Sequence, residues 1–90
     1  METLTLSDLL EHGYVEPGEN LVFTYKGVPR HATILASGEV KLEDGTIHHS
    51  PSGAAKKITG RPMNGWDVWI ATRVGARLTV LRTRCQQAQY

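Results

Sequence analysis

This 90-residue chain has a single cysteine and no long apolar segment. Because Cys85 is the only cysteine, an internal disulfide and a zinc site built from several thiolates are both excluded. A lone thiol is typical of a protein in a reducing compartment. The uninterrupted apolar runs are only a few residues long, whereas a membrane-spanning helix needs about 20. We therefore expect no contact with a membrane.

Patterns that carry reactive chemistry or bind metals are scarce as well. His48 and His49 are adjacent on a predicted strand, so their side chains point to opposite faces and are poorly placed to share a metal. The chain has no nucleophile elbow and no phosphate-binding loop. Its N-terminus carries acidic residues and lacks the basic segment of a signal peptide. These absences predict a cytoplasmic protein with no catalytic site, no cofactor and no metal. If the protein binds DNA, we expect it to be associated with the nucleoid.

The formal net charge of +1 conceals a division of charge along the chain. Residues 1–45 hold eight acidic and three basic residues, a net charge of −5, whereas residues 46–90 hold seven basic residues and one acidic residue, a net charge of +6. This asymmetry predicts an acidic face and a basic face. A basic face can attract a polyanion even when the whole molecule is nearly neutral. Ordinary solvated surface charge explains the same numbers equally well.

Local patterns predict one mixed α+β domain over residues 1–84, with a polar tail over residues 85–90. We expect a small antiparallel sheet of about five to six short strands with two short helices. A Thr5 N-cap and the Asp8 carboxylate mark the start of a leucine-rich first helix. Segments rich in β-branched and aromatic residues, joined by glycine turns, then predict an antiparallel meander over residues 21–49.

The second half is expected to hold one helix and two further strands. Ser50 is a suitable N-cap for this second helix, Pro51 then occupies the first helical position, and Gly60 ends the helix. The remaining segments that resemble strands are 66–73 and 77–82. Together with the meander they complete the predicted sheet.

The two tryptophans are expected to differ in exposure. If Trp66 and Trp69 belong to one strand, they lie on opposite faces, and both cannot be buried in one thin core. Tryptophan is first of all a core residue, so a structural use is favoured for each. We expect Trp66 to be partly buried beside the Asn-Gly turn. For Trp69, two positions are considered: one in the core, and an exposed one from which the ring stacks on a base.

The start of the second helix is a candidate anion site. A helix N-terminus has unpaired N–H groups and a partial positive charge, and the Ser50 and Ser52 hydroxyls could add donors. Lys56 and Lys57 follow in the helix, and Arg61 lies just beyond it. Helix capping alone explains the serines; with the lysines and the charge division, contact with a phosphate backbone becomes an equal alternative. DNA binding here requires the cations of the second half to converge around the start of this helix.

The chain also resembles a known family over most of its length. The segments LSDLLEHGYVEPGENLVFTYKG, GEVKLEDGTIHHSPSGAAKKITG and NGWDVWIATRVGARLTVLR are similar to the RAMA domain, named for its association with restriction enzymes and adenine methylases. The resemblance implies a small α+β domain that binds DNA beside restriction, methylation or repair domains and senses modified bases such as N6-methyladenine. No enzymatic domain accompanies it here, so we expect an excised module or a stand-alone form. The signature positions that the resemblance marks are Ser50, Pro51, Ser52, Asn64, Gly65, Trp66 and Trp69.

These observations lead to one principal hypothesis, which is non-catalytic binding of double-stranded DNA, unmodified or methylated, in a restriction-modification or phage-defence system. A nuclease or methyltransferase is a further expected partner. Basic side chains would contact phosphates, and such contacts carry no base information. Asn64, Trp66 and Trp69 are therefore the candidates for contact with a base. The full candidate set is Ser50, Ser52, Lys56, Lys57, Arg61, Asn64, Trp66, Trp69, Arg73 and Arg77.

Two other functions are weighed against DNA binding. The first is a protein-interaction adaptor or inhibitor that uses the acidic first half, especially the segment from Glu11 to Glu19. The second is a small enzyme, which ranks last because the sequence offers no reactive constellation.

Overall fold

The computed structural model describes residues 4–88, and in that range six strands form one antiparallel sheet accompanied by four short helices. This confirms the predicted α+β class, although two helices were expected. The sheet order is β4-β3-β2-β1-β5-β6. In chain order the elements are α1 (Leu6–Glu11), β1 (Asn20–Tyr25), β2 (Val28–Ile34), β3 (Val40–Leu42), β4 (Ile47–His48), α2 (Pro51–Thr59), α3 (Gly65–Val68), β5 (Ile70–Ala71), β6 (Ala76–Arg77) and α4 (Leu78–Ala88).

The first half folds as its local patterns predict. The Thr5 N–H donates to Oδ2 of Asp8 over 2.7 Å, which fixes the first turn of α1. Between β1 and β2, Lys26 and Gly27 both have positive φ angles, 51° and 78°. Two such residues form the tight turn that matches the twist of a hairpin. From β1 to β4, consecutive strands pair in the predicted antiparallel meander.

The core lies between one face of the sheet and the helices. Along β1, Leu21 and Phe23 are buried whereas Asn20 and Thr24 are exposed, as expected for a strand with one covered face. The helices contribute their own buried side chains to the same cluster. Within residues 4–88, no helix has both the length and the apolar character needed to cross a membrane.

The predicted strand over residues 66–73 is wrong in its first half. Asn64 caps a short helix, because its Oδ1 accepts from the Trp66 N–H over 3.2 Å. The Trp69 N–H then donates to the Gly65 carbonyl over 3.0 Å, which completes the single turn of α3. Only Ile70–Ala71 pair as β5. A strong local cap therefore outweighed the β propensity of the apolar residues that follow it.

The predicted strand over residues 77–82 is also wrong, because α4 occupies most of it. Leu78, Leu81 and Cys85 are buried at helical spacing, and this apolar stripe outweighs the β-branched Thr79 and Val80. The helix continues past residue 84 through positions 85–88, which had been assigned to a polar tail. Residues 89–90 of that tail and residues 1–3 of the predicted domain lie outside the described residues.

Cys85 has no exposed surface, and it occupies the core side of α4. Burial raises the pKa of its thiol above the ordinary value, so little of the reactive thiolate is present at neutral pH. Cys85 therefore has a packing role, and it lacks the exposure and the low pKa that make a cysteine reactive.

Candidate functional site

The Ser-Pro-Ser and Asn-Gly-Trp motifs meet in three dimensions, where the start of α2 packs on α3. The Gly65 N–H donates to Oγ of Ser52 over 2.9 Å. The indole Nε1 of Trp69 donates to the Pro51 carbonyl over 3.0 Å. A Cβ on Gly65 would overlap the Pro51 carbonyl and the Ser52 nitrogen. We call these four residues the motif junction: Pro51, Ser52, Gly65 and Trp69. Their contacts with one another show that these signature positions have a structural role.

The first turn of α2 uses most of its N–H donors internally. Oγ of Ser50 accepts from the Gly53 N–H over 3.1 Å, and the Ala54 N–H donates to the Ser50 carbonyl over 3.1 Å. Pro51 has no N–H, and the Ser52 nitrogen lies so close to Gly65 that a Cβ there would overlap it. The geometry at Ser50 and Ser52 therefore favours capping and packing over an open anion site.

Both tryptophans are buried, which corrects the expectation that they lie on opposite faces of a strand. Trp69 has no exposed surface and packs edge-to-face on Phe23, with ring centres 5.5 Å apart. Trp66 keeps 9% of its surface exposed. The guanidinium carbon of Arg82 lies over its ring, 4.1 Å from the ring centre. Stacking of Trp69 on a base is inconsistent with this burial.

Arg82 was absent from the candidate set derived from the sequence. Its position depends on α4 being a helix, since only the helical turn after Leu78 brings residue 82 back over α3. The one sequence feature that marks it is the closing Leu-x-x-Leu-Arg motif, whose spacing fits a helix. Asn64, which was in the set, is exposed; its Nδ2 donates to Oδ2 of Asp67 over 2.9 Å.

Arg82 and Trp66 line a cleft of about 440 Å³ between the starts of α1 and α2. The turn over residues 37–39 forms another wall, and the Ser7 hydroxyl donates to the Ser37 carbonyl over 3.2 Å. The cleft also exposes Glu39, whose Oε2 lies 3.5 Å from Nδ1 of His49. Apolar, cationic and anionic groups therefore share one concave surface.

Three of the predicted phosphate-binding residues lie together at the C-terminal end of α2. Lys56 and Lys57 are exposed in the last turn, and Arg61 is exposed just beyond it. We call these three residues the α2 basic end. Asp44 carries a charge of opposite sign close to Lys57. Hydrogen bonds from the Thr46 hydroxyl and N–H lower the pKa of Asp44, and the positive charge of Lys57 lowers it further.

The other two predicted phosphate-binding residues are on a different part of the molecule. Arg73 follows β5 and Arg77 belongs to β6, at one edge of the sheet, whereas α2 packs near β3 and β4 at the other. Nε of Arg73 is 3.0 Å from Oε1 of Glu19 and 4.0 Å from Oε2 of Glu16. The expected convergence of cations around the start of α2 is therefore wrong, because the sheet separates them.

The sequence model of the family described as Restriction Enzyme Adenine Methylase Associated, abbreviated RAMA, matches residues 1–90. The chain belongs to the RAMA family. An uncharacterised protein of Dictyostelium discoideum is 30% identical over 63 residues, which are 70% of this chain and 13% of that protein. This chain thus spans a small fraction of that relative's length. By its name, the family is associated with restriction enzymes and adenine methylases.

Glu19 joins two distant segments of the RAMA domain through a buried carboxylate. Its side chain is 2% exposed, and its Oε1 accepts from the Glu16 N–H over 3.1 Å as well as from Arg73. Its Oε2 has no partner among the described residues. Among residues 4–88, Arg73 is therefore the only basic residue that forms an ion pair with a buried carboxylate.

We predict that Arg73→Ala destabilises the RAMA domain by about 2 kcal/mol, because it leaves a buried charge without its partner. Arg77→Ala is the matched control, since this exposed arginine has no ion pair within residues 4–88; it should change stability by at most about 0.5 kcal/mol. Urea denaturation measures both. Equal effects of the two substitutions would contradict the role given to the Glu19–Arg73 pair.

The described part of the RAMA domain contains no group of three or more histidine, cysteine, aspartate or glutamate side chains arranged to hold a metal. The two adjacent histidines have separate surroundings. Nε2 of His48 lies 2.9 Å from the Thr46 hydroxyl, whereas His49 faces Glu39.

Proposed function

We propose that this RAMA domain binds double-stranded DNA without catalysing a reaction, as a recognition module of a restriction and methylation system in the cytoplasm. Because the cations do not converge at the start of α2, the proposal relies instead on the lysine and arginine side chains that form no ion pair. Arg30 and Arg73 form ion pairs with glutamates. Within residues 4–88, the other eight lysine and arginine side chains form no ion pair and no hydrogen bond: Lys26, Lys41, Lys56, Lys57, Arg61, Arg77, Arg82 and Arg84.

Some acidic residues of the first half form ion pairs with arginines of the domain. Glu19 pairs with Arg73, and Glu43 lies 3.4 Å from Nε of Arg30. The same Glu43 carboxylate accepts from the His31 N–H over 2.7 Å, and this hydrogen bond lowers its pKa. Glu19 is buried, but Glu11 and Glu16 of the segment that an adaptor or inhibitor would use are exposed. An interaction module that uses the acidic half is therefore the second candidate function.

The α2 basic end is the surface proposed to contact phosphates. Its three side chains are exposed, and α2 itself contains no acidic residue. Cations on one helix end can follow a phosphate backbone, and each neutralised phosphate releases condensed counterions. Contacts of this kind give affinity without reading the base sequence. A preference for N6-methyladenine, which the family's association with adenine methylases suggests, therefore needs a separate contact with a base.

Salt dependence tests the DNA proposal. If the three side chains of the α2 basic end neutralise three phosphates, log K should fall with log salt with a slope of about −2.7. Lys56→Ala combined with Lys57→Ala should reduce the magnitude of that slope by about 1.8. Fluorescence anisotropy of a labelled duplex across a salt series measures both slopes.

The matched control combines Lys26→Ala with Arg84→Ala, which removes the same charge from other exposed positions. It should leave the slope nearly unchanged. Binding that does not depend on salt, or equal effects of the two double variants, would count against the α2 basic end. Parallel titrations with unmodified and N6-methylated duplexes test the modification preference, and equal affinities would remove that part of the proposal.

A further inference from the structure

We propose that the cleft between α1 and α2 receives a single unpaired purine base from bound DNA. This inference rests on the proposed DNA binding. The cleft volume of about 440 Å³ is within the range of about 300–1,000 Å³ typical of small-molecule sites. Its lining combines a cation held on an aromatic ring, a carboxylate and apolar side chains. Each of these matches a feature of a purine.

Arg82 supplies oriented hydrogen-bond donors. Its guanidinium lies over the Trp66 ring, with 4.1 Å between the guanidinium carbon and the ring centre. Within residues 4–88, it forms no hydrogen bond and no ion pair. A guanidinium has several N–H donors in one plane, and contact with the indole limits how that plane can rotate. Arginine in such a position is suited to the ring nitrogen and carbonyl acceptors of purines.

Glu39 supplies the complementary acceptor. Its Oε1 accepts from the Ser37 hydroxyl over 3.0 Å, and its Oε2 lies 3.5 Å from Nδ1 of His49. A carboxylate oxygen has more than one lone pair, so both atoms can accept a further hydrogen bond. The exocyclic amino group of adenine is such a donor, and it retains one N–H when it carries a single methyl group.

The mixed lining selects against simpler ligands. A phosphate would be repelled by Glu39, and a cation would be repelled by Arg82. An aliphatic ligand would leave both charged groups without partners as it displaced their water. A nucleobase satisfies donor and acceptor together, and its flat ring can pack on the partly exposed apolar side chain of Leu4, which also lines the cleft.

The cleft lies at the opposite end of α2 from its lysines. Ser50 lines the cleft, and Lys56 follows six residues later, about 9 Å along the helix axis at a rise of 1.5 Å per residue. A DNA strand held at the α2 basic end and running along the helix thus brings a neighbouring nucleotide to the cleft. A paired base is held in the stack, so only a base that has left it can enter.

Duplexes that differ in one base provide the test. Anisotropy titrations would compare a fully paired duplex, the same duplex with one extrahelical adenine, and the same duplex with an abasic site at that place. We expect about tenfold tighter binding to the extrahelical adenine, because its base can enter the cleft whereas the bases of the paired duplex stay in the stack. The abasic duplex should lack this gain, since it has no base to fill the cleft.

Two variants assign the gain to the cleft. Arg82→Gln and Glu39→Gln should each remove most of the preference while keeping affinity for the paired duplex within twofold. The Lys56→Ala and Lys57→Ala double variant should instead weaken binding to every duplex by the same factor and retain the preference. Equal affinity for extrahelical and paired duplexes, or a preference that survives in both cleft variants, would overturn the inference.

A separate measurement distinguishes failure of the cleft from failure of DNA binding. If no duplex binds, the proposed function fails, and the cleft is then tested by NMR titration with free adenosine. Shifts of the Trp66 indole and the Arg82 side chain that saturate, and that are lost in Glu39→Gln, would support a base site. Their absence would overturn it. Duplex binding without any shift of these groups would leave the proposed function in place and remove only the cleft.

Discussion

Gly65→Ala should cost the domain about 4 kcal/mol, because the new methyl group has no space between α3 and the start of α2. A Cβ at this position would overlap the carbonyl carbon and oxygen of Pro51 and the nitrogen of Ser52. All of these atoms belong to backbone, so no side chain can rotate away. The φ angle of Gly65 is not positive, and the cost is therefore steric. For a small domain, this is a large share of a total stability of about 5–15 kcal/mol.

Gly53→Ala is a matched control within α2. A Cβ there would meet Oγ of Ser50 at 3.5 Å and Cβ of His48 at 3.8 Å, which are ordinary contact distances. Alanine is also favoured over glycine inside a helix, so this substitution should be neutral or stabilise the domain by up to about 1 kcal/mol. Urea denaturation followed by tryptophan fluorescence measures both variants. A Gly65→Ala variant as stable as the parent would show that the motif junction is not closely packed.

The motif junction also explains why the signature residues could be interpreted from the sequence either as DNA contacts or as structural residues. Ser52 and Trp69 looked like possible contacts for DNA, yet Ser52 accepts from Gly65 and Trp69 donates to Pro51. These pairs are 13 and 18 residues apart in the chain. A single sequence marks hydroxyl and indole groups but does not show which distant backbone groups they meet. The long-range hydrogen bonds become visible only in the fold.

The chain up to the start of α2 was predictable because its determinants are local. The capping box at Thr5, the turn at Lys26 and Gly27, and the N-cap at Ser50 each act within a few residues. In each case the side chain or φ angle that decides the structure is next to the element it defines. The element types and most of the bounds up to α2 could therefore be predicted from sequence.

The second half was less predictable because burial and local propensity disagree there. Residues 66–82 contain β-branched and aromatic side chains that favour strands, but the Asn64 cap and the stripe of Leu78, Leu81 and Cys85 produce helices. The error carried over to the site. Arg82 reaches Trp66 only from a helix. Because residues 77–82 were predicted as a strand, Arg82 was not recognised as a residue of the cleft.

The separation of Arg73 and Arg77 from the α2 basic end follows from the strand order of the sheet. The count of charges along the sequence carries no information about that order. Arg73 and Lys57 both belong to the basic half, yet β5 adds to the sheet beside β1 and carries Arg73 away from α2. There Arg73 meets Glu19 of the acidic half. One arginine of the basic half therefore pairs with glutamates of the acidic half, and the α2 basic end remains exposed and unpaired.

Trp69→Ala should destabilise the domain by about 4 kcal/mol, comparable to Gly65→Ala, through loss of a large buried side chain. Trp69 has no exposed surface, contacts Phe23 edge-to-face, and donates from Nε1 to the Pro51 carbonyl. Trp69→Phe retains a ring for Phe23 but loses the indole donor and some volume, so a loss of about 2 kcal/mol is expected. The difference between the two variants separates the packing contribution from that of the hydrogen bond.

Trp66→Phe is the control that distinguishes a core tryptophan from one at the cleft. Trp66 borders the cleft and contacts Arg82, so a phenylalanine there should cost only about 1 kcal/mol. DNA affinity, measured where each variant is fully folded, should stay at the parental value for Trp69→Phe because this side chain is enclosed by protein. Trp66→Phe should weaken binding of an extrahelical adenine, since it removes the larger ring that orients Arg82. A stable Trp69→Phe variant that loses DNA binding would contradict the assignment of Trp69 to the core. Trp69 would then be a DNA contact, and the roles of the two tryptophans would be reversed.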